Sequence, residues 1–458
     1  MKRKINHVAE SKLFIADQKH IEFHDKRLWE LRSARDREVH GISEWEELRA
    51  LASAVKEHTL THLADYLEEF ERNATANGVV VHWARDAEEH NRIVYEILER
   101  RGARVLVKSK SMLTEECEMR PYLEHRGIEV LETDLGEQIQ QLDGQRPSHI
   151  VVPAVHKLAK DVAEVFSRTI GGDPNETSIP ALAERQRAST RPIILKADAG
   201  MTGCNFAVAE TGGITVCTNE GNADLSANVP GLHIASIGIE KLIPRLEHLG
   251  VFVRMLSRSA LGSPITQYTS HFRAPRAGGE MHFILVDNGR SERLAMEDFW
   301  YSLKCIRCGA CMNTCPVYRR SGGLSYGGVY SGPIGAIINP TYDLQKFSTL
   351  PFASTMNGSC TNVCPVKINI HEQIYKWRQV VAEHNELSFA KKEAMKLAGK
   401  VLADPKLYRI AVKGAETAVA KLPRVVLYNP LNAWGRQREL PQAPKEPFHE
   451  WYEKRKKQ

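Results

Sequence analysis

The sequence predicts a parallel α/β domain, then a small helical domain built around cysteine motifs, then a basic helical tail. Three observations predict it. Short apolar runs alternate with helical patterns from Gly78 to about Arg290, as strands joined by crossover helices do. Six of the nine cysteines fall between Cys305 and Cys364. From Phe389 to Gln458 there are 16 Lys+Arg and 7 Asp+Glu, a balance of +9, so the preceding residues carry −3 of the net +6.

Composition sets the outer limits. At 458 residues, 42% hydrophobic and 26% charged, the chain has room for two or three globular domains and is not of the disordered class. No apolar run reaches the roughly 20 residues of a membrane-spanning helix. The basic start, Met1-Lys-Arg-Lys, lacks the apolar stretch of a secretory signal. The expectation is a cytoplasmic protein with no membrane span. The basic tail carries no nucleic-acid motif, so it reads as a solvated or partner-docking surface.

Residues 1–75 read as helical, with Leu60, Leu63, Leu67 and Phe70 at helical spacing. Val79-Val80-Val81 is the first strand candidate, and Asp86 to Arg101 follows as a helix with Ile93, Ile97 and Leu98 on one face. Further strand candidates are 104–108, 130–131, 149–152, 193–195, 214–217, 233–237, 251–253 and 282–286. Asp287-Asn-Gly-Arg290 closes the domain, and the segment around Lys391, Lys392 and Lys396 reads as helix.

Cys305-Ile-Arg-Cys308-Gly-Ala-Cys311-Met-Asn-Thr-Cys315-Pro316 is a C-x2-C-x2-C-x3-C-P run. Three closely spaced thiolates wrap one face of a four-iron cube, and the fourth, redirected by proline, reaches a different cube. A structural zinc site more often shows two separated C-x2-C pairs. The second motif, Ser354-Thr-Met-Asn357-Gly-Ser-Cys360-Thr-Asn-Val-Cys364-Pro365, keeps only the last two cysteines of the same run. With exchanged fourth ligands, Cys305, Cys308, Cys311 and Cys364 complete one [4Fe-4S] cluster, and Cys315 and Cys360 serve a second. Three outcomes stay open there. Cys204 lends a thiolate, or Asn357, Ser354 or another non-cysteine group ligates, or the second site is a lesser cluster or empty. The glycine-rich stretch 321–335 contains no phosphate-binding fingerprint. Its glycines suit close approach of backbone to a cluster.

These motifs, together with ordered stretches elsewhere, resemble the lactate-utilisation protein B family of bacteria. The stretches are Lys108-Ser-Lys-Ser-Met112, Thr114-Glu-Glu116, Glu132-Thr-Asp-Leu-Gly-Glu137, Pro147-Ser-His-Ile150 and Gly203-Cys-Asn-Phe-Ala207. They continue with Thr218-Asn-Glu-Gly-Asn222, Val286-Asp-Asn-Gly-Arg-Ser291, Tyr330-Ser-Gly-Pro-Ile-Gly335 and Cys364-Pro-Val-Lys-Ile368. The resemblance runs nearly end to end. It implies an α/β domain similar to the ribose-phosphate isomerase and CoA-transferase fold. It also implies an iron–sulfur subunit of a three-protein complex that oxidises L-lactate to pyruvate. Many members have cysteine where this chain has Asn357, a departure that touches the second cluster only.

The expected division is an N-terminal helical segment at 1–75, the α/β lactate-utilisation domain at 76–292, a ferredoxin-type domain at 293–385 and a basic helical region at 386–458. Within the α/β domain, Lys108, Lys110, Asn219 and Glu220 follow strand candidates, where open α/β sheets bind ligands. The lysines suit a carboxylate or phosphate, and Glu220 suits a base. A degenerate domain kept for docking is the competing expectation. Cys117 and Cys217 read as structural. The pairs His20/His24 and His58/His62 read as surface histidines without a third ligand. No dinucleotide fingerprint is present, so an electron-transfer subunit, inactive alone, is expected. The alternatives are an enzyme whose α/β domain binds a phosphosugar- or CoA-like ligand, and a redox-sensing scaffold.

Overall fold

The computed structural model describes residues 4–384, 387, 389–429, 432, 438–444 and 446–457. Residues 1–380 form one compact unit and 381–458 a second. In the first unit ten strands form two sheets: β1 Val80–Ala84, β2 Val105–Lys108, β3 Glu129–Glu132, β4 Ala199–Thr202, β5 Phe206–Val208, β6 Gly213–Thr218, β7 Leu232–Gly238, β8 Leu242–Ile243, β9 Tyr268–Phe272 and β10 Glu280–Val286. Six run parallel in the order β1-β10-β7-β4-β2-β3. The other sheet has the order β8-β5-β6-β9. All of β7 and nearly all of β10 are buried, which is why both read as mostly apolar runs, with His233, Ser236 and His282 as buried polar exceptions. A Cβ on Gly200 would meet the Ser226 carbonyl oxygen at 1.6 Å, so glycine lets the helix Asn222–Asn228 close onto β4.

The expected alternation holds, but three strand candidates do not. Ile193–Leu195 lies in the helix Ile179–Lys196, where Thr190 and Ile194 are buried one turn apart. Val251–Val253 lies in the helix Leu246–Leu261, whose buried Phe252, Met255, Leu256, Ser259 and Ala260 have helical spacing. Residues 149–152 turn instead of extending. His149 Nδ1 accepts from the backbone N–H of Val151 (3.0 Å) and Val152 (3.1 Å), a local bond that competes with a ladder. The strands missed are short (β4, β5, β8) or lie at a polar sheet edge (β9).

His149 carries a pH prediction. Its Nδ1 accepts two N–H groups, so Nε2–H donates to Asn313 Oδ1 at 2.9 Å. Burial draws its pKa down to about 3. Between about pH 3 and 6.5 the unfolded chain therefore binds the extra proton, and stability rises with pH across that window. In His149→Gln the rise in urea midpoint from pH 4 to 7 is expected to be smaller than in the parent. Equal slopes would show that the ring is charged in the folded state.

The N-terminal helices His7–Ile15, Gln18–His40, Trp45–Thr61 and Leu63–Ala76 do not stand apart. Leu28, Val39, Trp45 and Ala52 share one core with Tyr318, Ile337, Trp377 and the cysteines from Cys308 to Cys364. Arg49 reaches across to donate to the Cys364 carbonyl from Nε (3.0 Å) and Nη2 (2.8 Å). The second unit contains helices Phe389–Ala403, Pro405–Lys421, Arg424–Leu427 and Phe448–Lys456, none with a buried residue. Among the described residues no helix is long and apolar enough to cross a membrane.

Candidate functional site

The first cysteine motif is a loop shaped by two left-handed residues, Arg307 (φ 61°) and Gly309 (φ 76°). A helical turn, Ala310–Asn313, then carries Cys311. Cys315 caps the helix Pro316–Ser321 and accepts from the Tyr318 N–H at 3.4 Å, with Pro316 in the first turn, where proline is preorganised. Cys305 Sγ accepts from the Arg307 N–H, and Cys364 Sγ from the Ile368 N–H, both at 3.4 Å.

Cys305, Cys308, Cys311 and Cys364 line one small apolar cavity with Ile306, Ile334, Val366 and Ile368. Burial pushes the Cys308 thiol up to about 12, and Cys305 and Cys364 nearby add to it. Cys364 is pushed up to about 11, again chiefly by burial. Cys308, Cys311 and Cys364, whose thiols burial holds above their ordinary range, are gathered with Cys305 in a dry pocket, which suits a polynuclear cation that compensates the thiolates. Among the described residues no three His, Cys, Asp or Glu side chains converge on a single-ion site. Four cysteine thiols brought together from two loops are the donor set that a [4Fe-4S] cluster takes.

The second motif repeats the loop with different side chains. Met356 (φ 58°) and Gly358 (φ 76°) take the left-handed places, and a helical turn, Ser359–Asn362, carries Cys360. Ser354 Oγ accepts from the Met356 N–H at 3.1 Å, where Cys305 Sγ accepts in the first loop. Asn357 is exposed, and its Oδ1 accepts from the Ser359 N–H at 3.1 Å. Cys360 is pushed up to about 12 by burial, and Cys315 beside it adds to the shift. The loop thus keeps its backbone while two of its four ligand places lack sulfur. Cys204, one of the open candidates for them, is placed with the other sheet. It lies on the α/β side, near Lys241, Glu240 and Cys217, and lines a different cavity.

That cavity, of about 280 Å³, sits beyond the carboxyl ends of β2, β4 and β7. Ser109 and Lys110 follow β2, Cys204 follows β4, and Glu240 and Lys241 follow β7, while Asn219 and Glu220 stand at its exposed side after β6. Lys110 Nζ donates to the Val151 carbonyl at 2.7 Å and lies 3.6 Å from Asp134. Asn219 Oδ1 accepts from the Gln267 N–H (3.0 Å), and Glu220 Oε2 from the Leu135 N–H (3.1 Å). Lys108, expected here as a ligand-binding group, is elsewhere. It is fully buried against Glu132 (2.8 Å), Glu137 (3.5 Å) and Glu115 (4.0 Å), which outweigh burial and hold it protonated. A cation already matched by three carboxylates has no charge to offer a ligand.

A buried ionic network that sequence reasoning missed lines the same cavity. Arg290 makes a two-pronged pair with Glu116 (2.9 and 3.1 Å) and also donates to Glu240. Tyr330 donates to Glu116 at 2.6 Å, and Arg307 Nη2 reaches Glu240 at 3.5 Å while its guanidinium lies 4.5 Å over the Tyr330 ring. Glu116, Arg290 and Tyr330 belong to stretches that carry the family resemblance. Membership of those stretches was the available signal.

An α/β sheet joined to paired ferredoxin-type cysteine loops defines an iron–sulfur protein. Comparisons with known proteins agree. Residues 67–293 match the LUD domain, 301–368 a 4Fe-4S dicluster domain, and 371–457 the C-terminal region of lactate utilisation protein B. Lactate utilization protein B of Geobacillus kaustophilus is 43% identical over 434 residues, covering 92% of this chain and 90% of that protein. A protein of Escherichia coli named "Uncharacterized electron transport protein YkgF" is 40% identical over 437 residues, covering 93% and 91%. The chain belongs to the lactate utilization protein B family.

Proposed function

We propose that this protein is the electron-carrying iron–sulfur subunit of a multi-protein complex that oxidises L-lactate to pyruvate. One observation carries the reading: Cys364 lines a single dry cavity with Cys305, Cys308 and Cys311, about fifty residues earlier. A [4Fe-4S] cluster held by these four thiolates supplies one-electron transfer. The chain's residues exclude water from the site, and the N–H groups of Arg307 and Ile368 donate to cysteine sulfur, which tunes a cluster's potential. Cys315 and Cys360 offer two thiolates to a second cluster, with Ser354 and Asn357 at the remaining ligand places.

Removing two electrons from a hydroxy acid needs a flavin, nicotinamide or quinone-type centre. A partner subunit supplies it, and this chain alone is inactive toward lactate. The relatives' names, lactate utilization and electron transport, support both halves of the reading. The C-terminal unit is its docking element, with Phe389, Ile410 and Val425 exposed among excess lysine and arginine. The complex is cytoplasmic and binds no nucleic acid.

The test is iron and acid-labile sulfide per chain on anaerobically purified protein, with EPR of the reduced sample. At least about four irons and sulfides are expected, rising toward about eight in Asn357→Cys, which completes a third thiolate at the second site. Zinc without iron would overturn the reading. An iron content unchanged by Asn357→Cys would remove that position from the ligand set.

A further inference from the structure

The two cysteine loops share one backbone but differ in what covers them. Arg307 and Met356 take the same left-handed conformation (φ 61° and 58°), and so do Gly309 and Gly358 (both φ 76°). A left-handed residue other than glycine is strained and persists where its surroundings or a ligand require it. The first loop is sealed from within the chain. A Cβ on Gly309 would meet the His149 ring at 2.9 Å and Val151 at 3.4 Å. The second loop is open. A Cβ on Gly358 would meet nothing within 4 Å, and Thr355 and Asn357, on either side of Met356, are exposed.

The ligand places of the open loop are unequal. Ser354 is fixed from behind, because Arg378 donates to its carbonyl at 2.9 Å and to the Pro351 carbonyl at 2.8 Å. Its Oγ accepts from the Met356 N–H, as Cys305 Sγ accepts from the Arg307 N–H. Asn357 bends back on its own turn instead, where Oδ1 accepts from the Ser359 N–H at 3.1 Å. Cys315 and Cys360 are both buried. Two thiolates and one hydroxyl leave a four-iron cube one donor short, and the place left is that of Asn357, which is open to solvent. The donor that soft iron–sulfur units take is a thiolate. A neutral amide at that place also leaves the centre one negative charge fewer than a cysteine would.

We propose that the second cluster is completed at the Asn357 place by a thiolate from outside this chain. The uncovered loop beside Gly358 admits it. A thiol gives its proton to solvent as its sulfur bonds iron, and no electron changes hands. A cysteine of a partner subunit and a small free thiol offer the same sulfur. The inference rests on the iron–sulfur reading above and extends it: the second centre forms only where that thiolate is present.

The experiment is anaerobic reconstitution of the full-length chain with iron and sulfide under a phosphine reductant, with and without 2-mercaptoethanol. Iron, sulfide and retained thiol are counted, and EPR is recorded on the reduced sample. Without thiol, about four irons per chain are expected; with it, the count should rise toward about eight, with a second EPR signal and about one retained thiol. Asn357→Cys should reach about eight without thiol and retain none, and Cys360→Ser should stay near about four under both conditions. About eight irons in the parent without thiol would overturn the proposal, because the chain's own oxygen and nitrogen donors would then suffice. A parent that stays near about four with thiol overturns it as well, and an Asn357→Cys chain that still needs thiol overturns the place. Zinc without iron would instead sink the iron–sulfur reading, so the two failures are told apart. The complex isolated without added thiol identifies the source. A thiol released by acid and identified by its mass marks a small molecule. A second EPR signal that requires the partner and releases no thiol marks a partner cysteine.

Discussion

Cys308→Ser protein is expected to fold, to lose about four irons per chain and to transfer no electrons in the reconstituted complex. Cys308 lines the cavity shared with Cys305, Cys311 and Cys364, and a serine there replaces a soft donor with a hard one. Even outer-shell changes at metal sites cost about 10–100-fold in affinity or activity, so loss of a ligand should reduce turnover at least about 100-fold. The structural consequence is not uniform. Cys308 shares its core with Leu28, Val39 and Trp45 of the N-terminal helices, whereas Leu106, Met201, Ile234 and Ile284 of the parallel sheet belong to a core of their own. Hydrogen exchange should therefore rise in the N-terminal helices and around 305–370, while β2, β4, β7 and β10 stay protected. Cys117→Ser is the control, since Cys117 is buried in the sheet's own core. It should keep full iron. Full iron and activity in Cys308→Ser would place the cluster elsewhere.

What the sequence made legible follows the range of the interactions involved. The cysteine spacing is local chemistry, so both loops are visible in the chain. The alternation of strands and helices is visible because β7 and β10 are buried on both faces and are therefore mostly apolar. A run of three apolar residues carries less. Ile193–Leu195 and Val251–Val253 look like strands until the residues one turn away are found buried beside them. Three-dimensional charge balance was invisible. Lys108 and Lys110 sit two residues apart, and only the fold decides that the first is surrounded by three glutamates while the second lines the cavity. The helix Gln18–His40 shows charges along its length, yet Ile21, His24, Leu28, Arg35 and Val39 are buried. Its partners are the cysteine segment, nearly three hundred residues away, and no local pattern names them.

Arg290→Met should destabilise the protein by about 3–5 kcal/mol, the cost of stripping a partner from buried charges. Arg290 is 2% exposed and meets Glu116 in the two-pronged geometry that an arginine fork forms best. Without it Glu116 keeps Tyr330 and Asn288, and Glu240 keeps Arg307. Two buried carboxylates then share much less positive charge. Arg290→Lys should fall between the two, because an ammonium cannot pair both oxygens of Glu116 while reaching Glu240. The pH dependence should reverse in sign. In the parent, burial raises the pKa of Glu116 and Glu240, but Arg290 and its neighbours more than offset it and hold both below the usual carboxylate range. Their stabilisation is therefore present above the unfolded value near 4.5 and lost as pH falls below it. In Arg290→Met burial dominates, the folded values rise above the unfolded ones, and stability should decline as pH climbs through neutrality. Adding Glu116→Gln should recover part of the loss, since it removes one stranded charge. Urea midpoints at pH 5 and pH 8 for the three variants check the whole set. A loss in Arg290→Met that is equal at both values, and no recovery on adding Glu116→Gln, would mean that Arg290 fills space here rather than balancing charge.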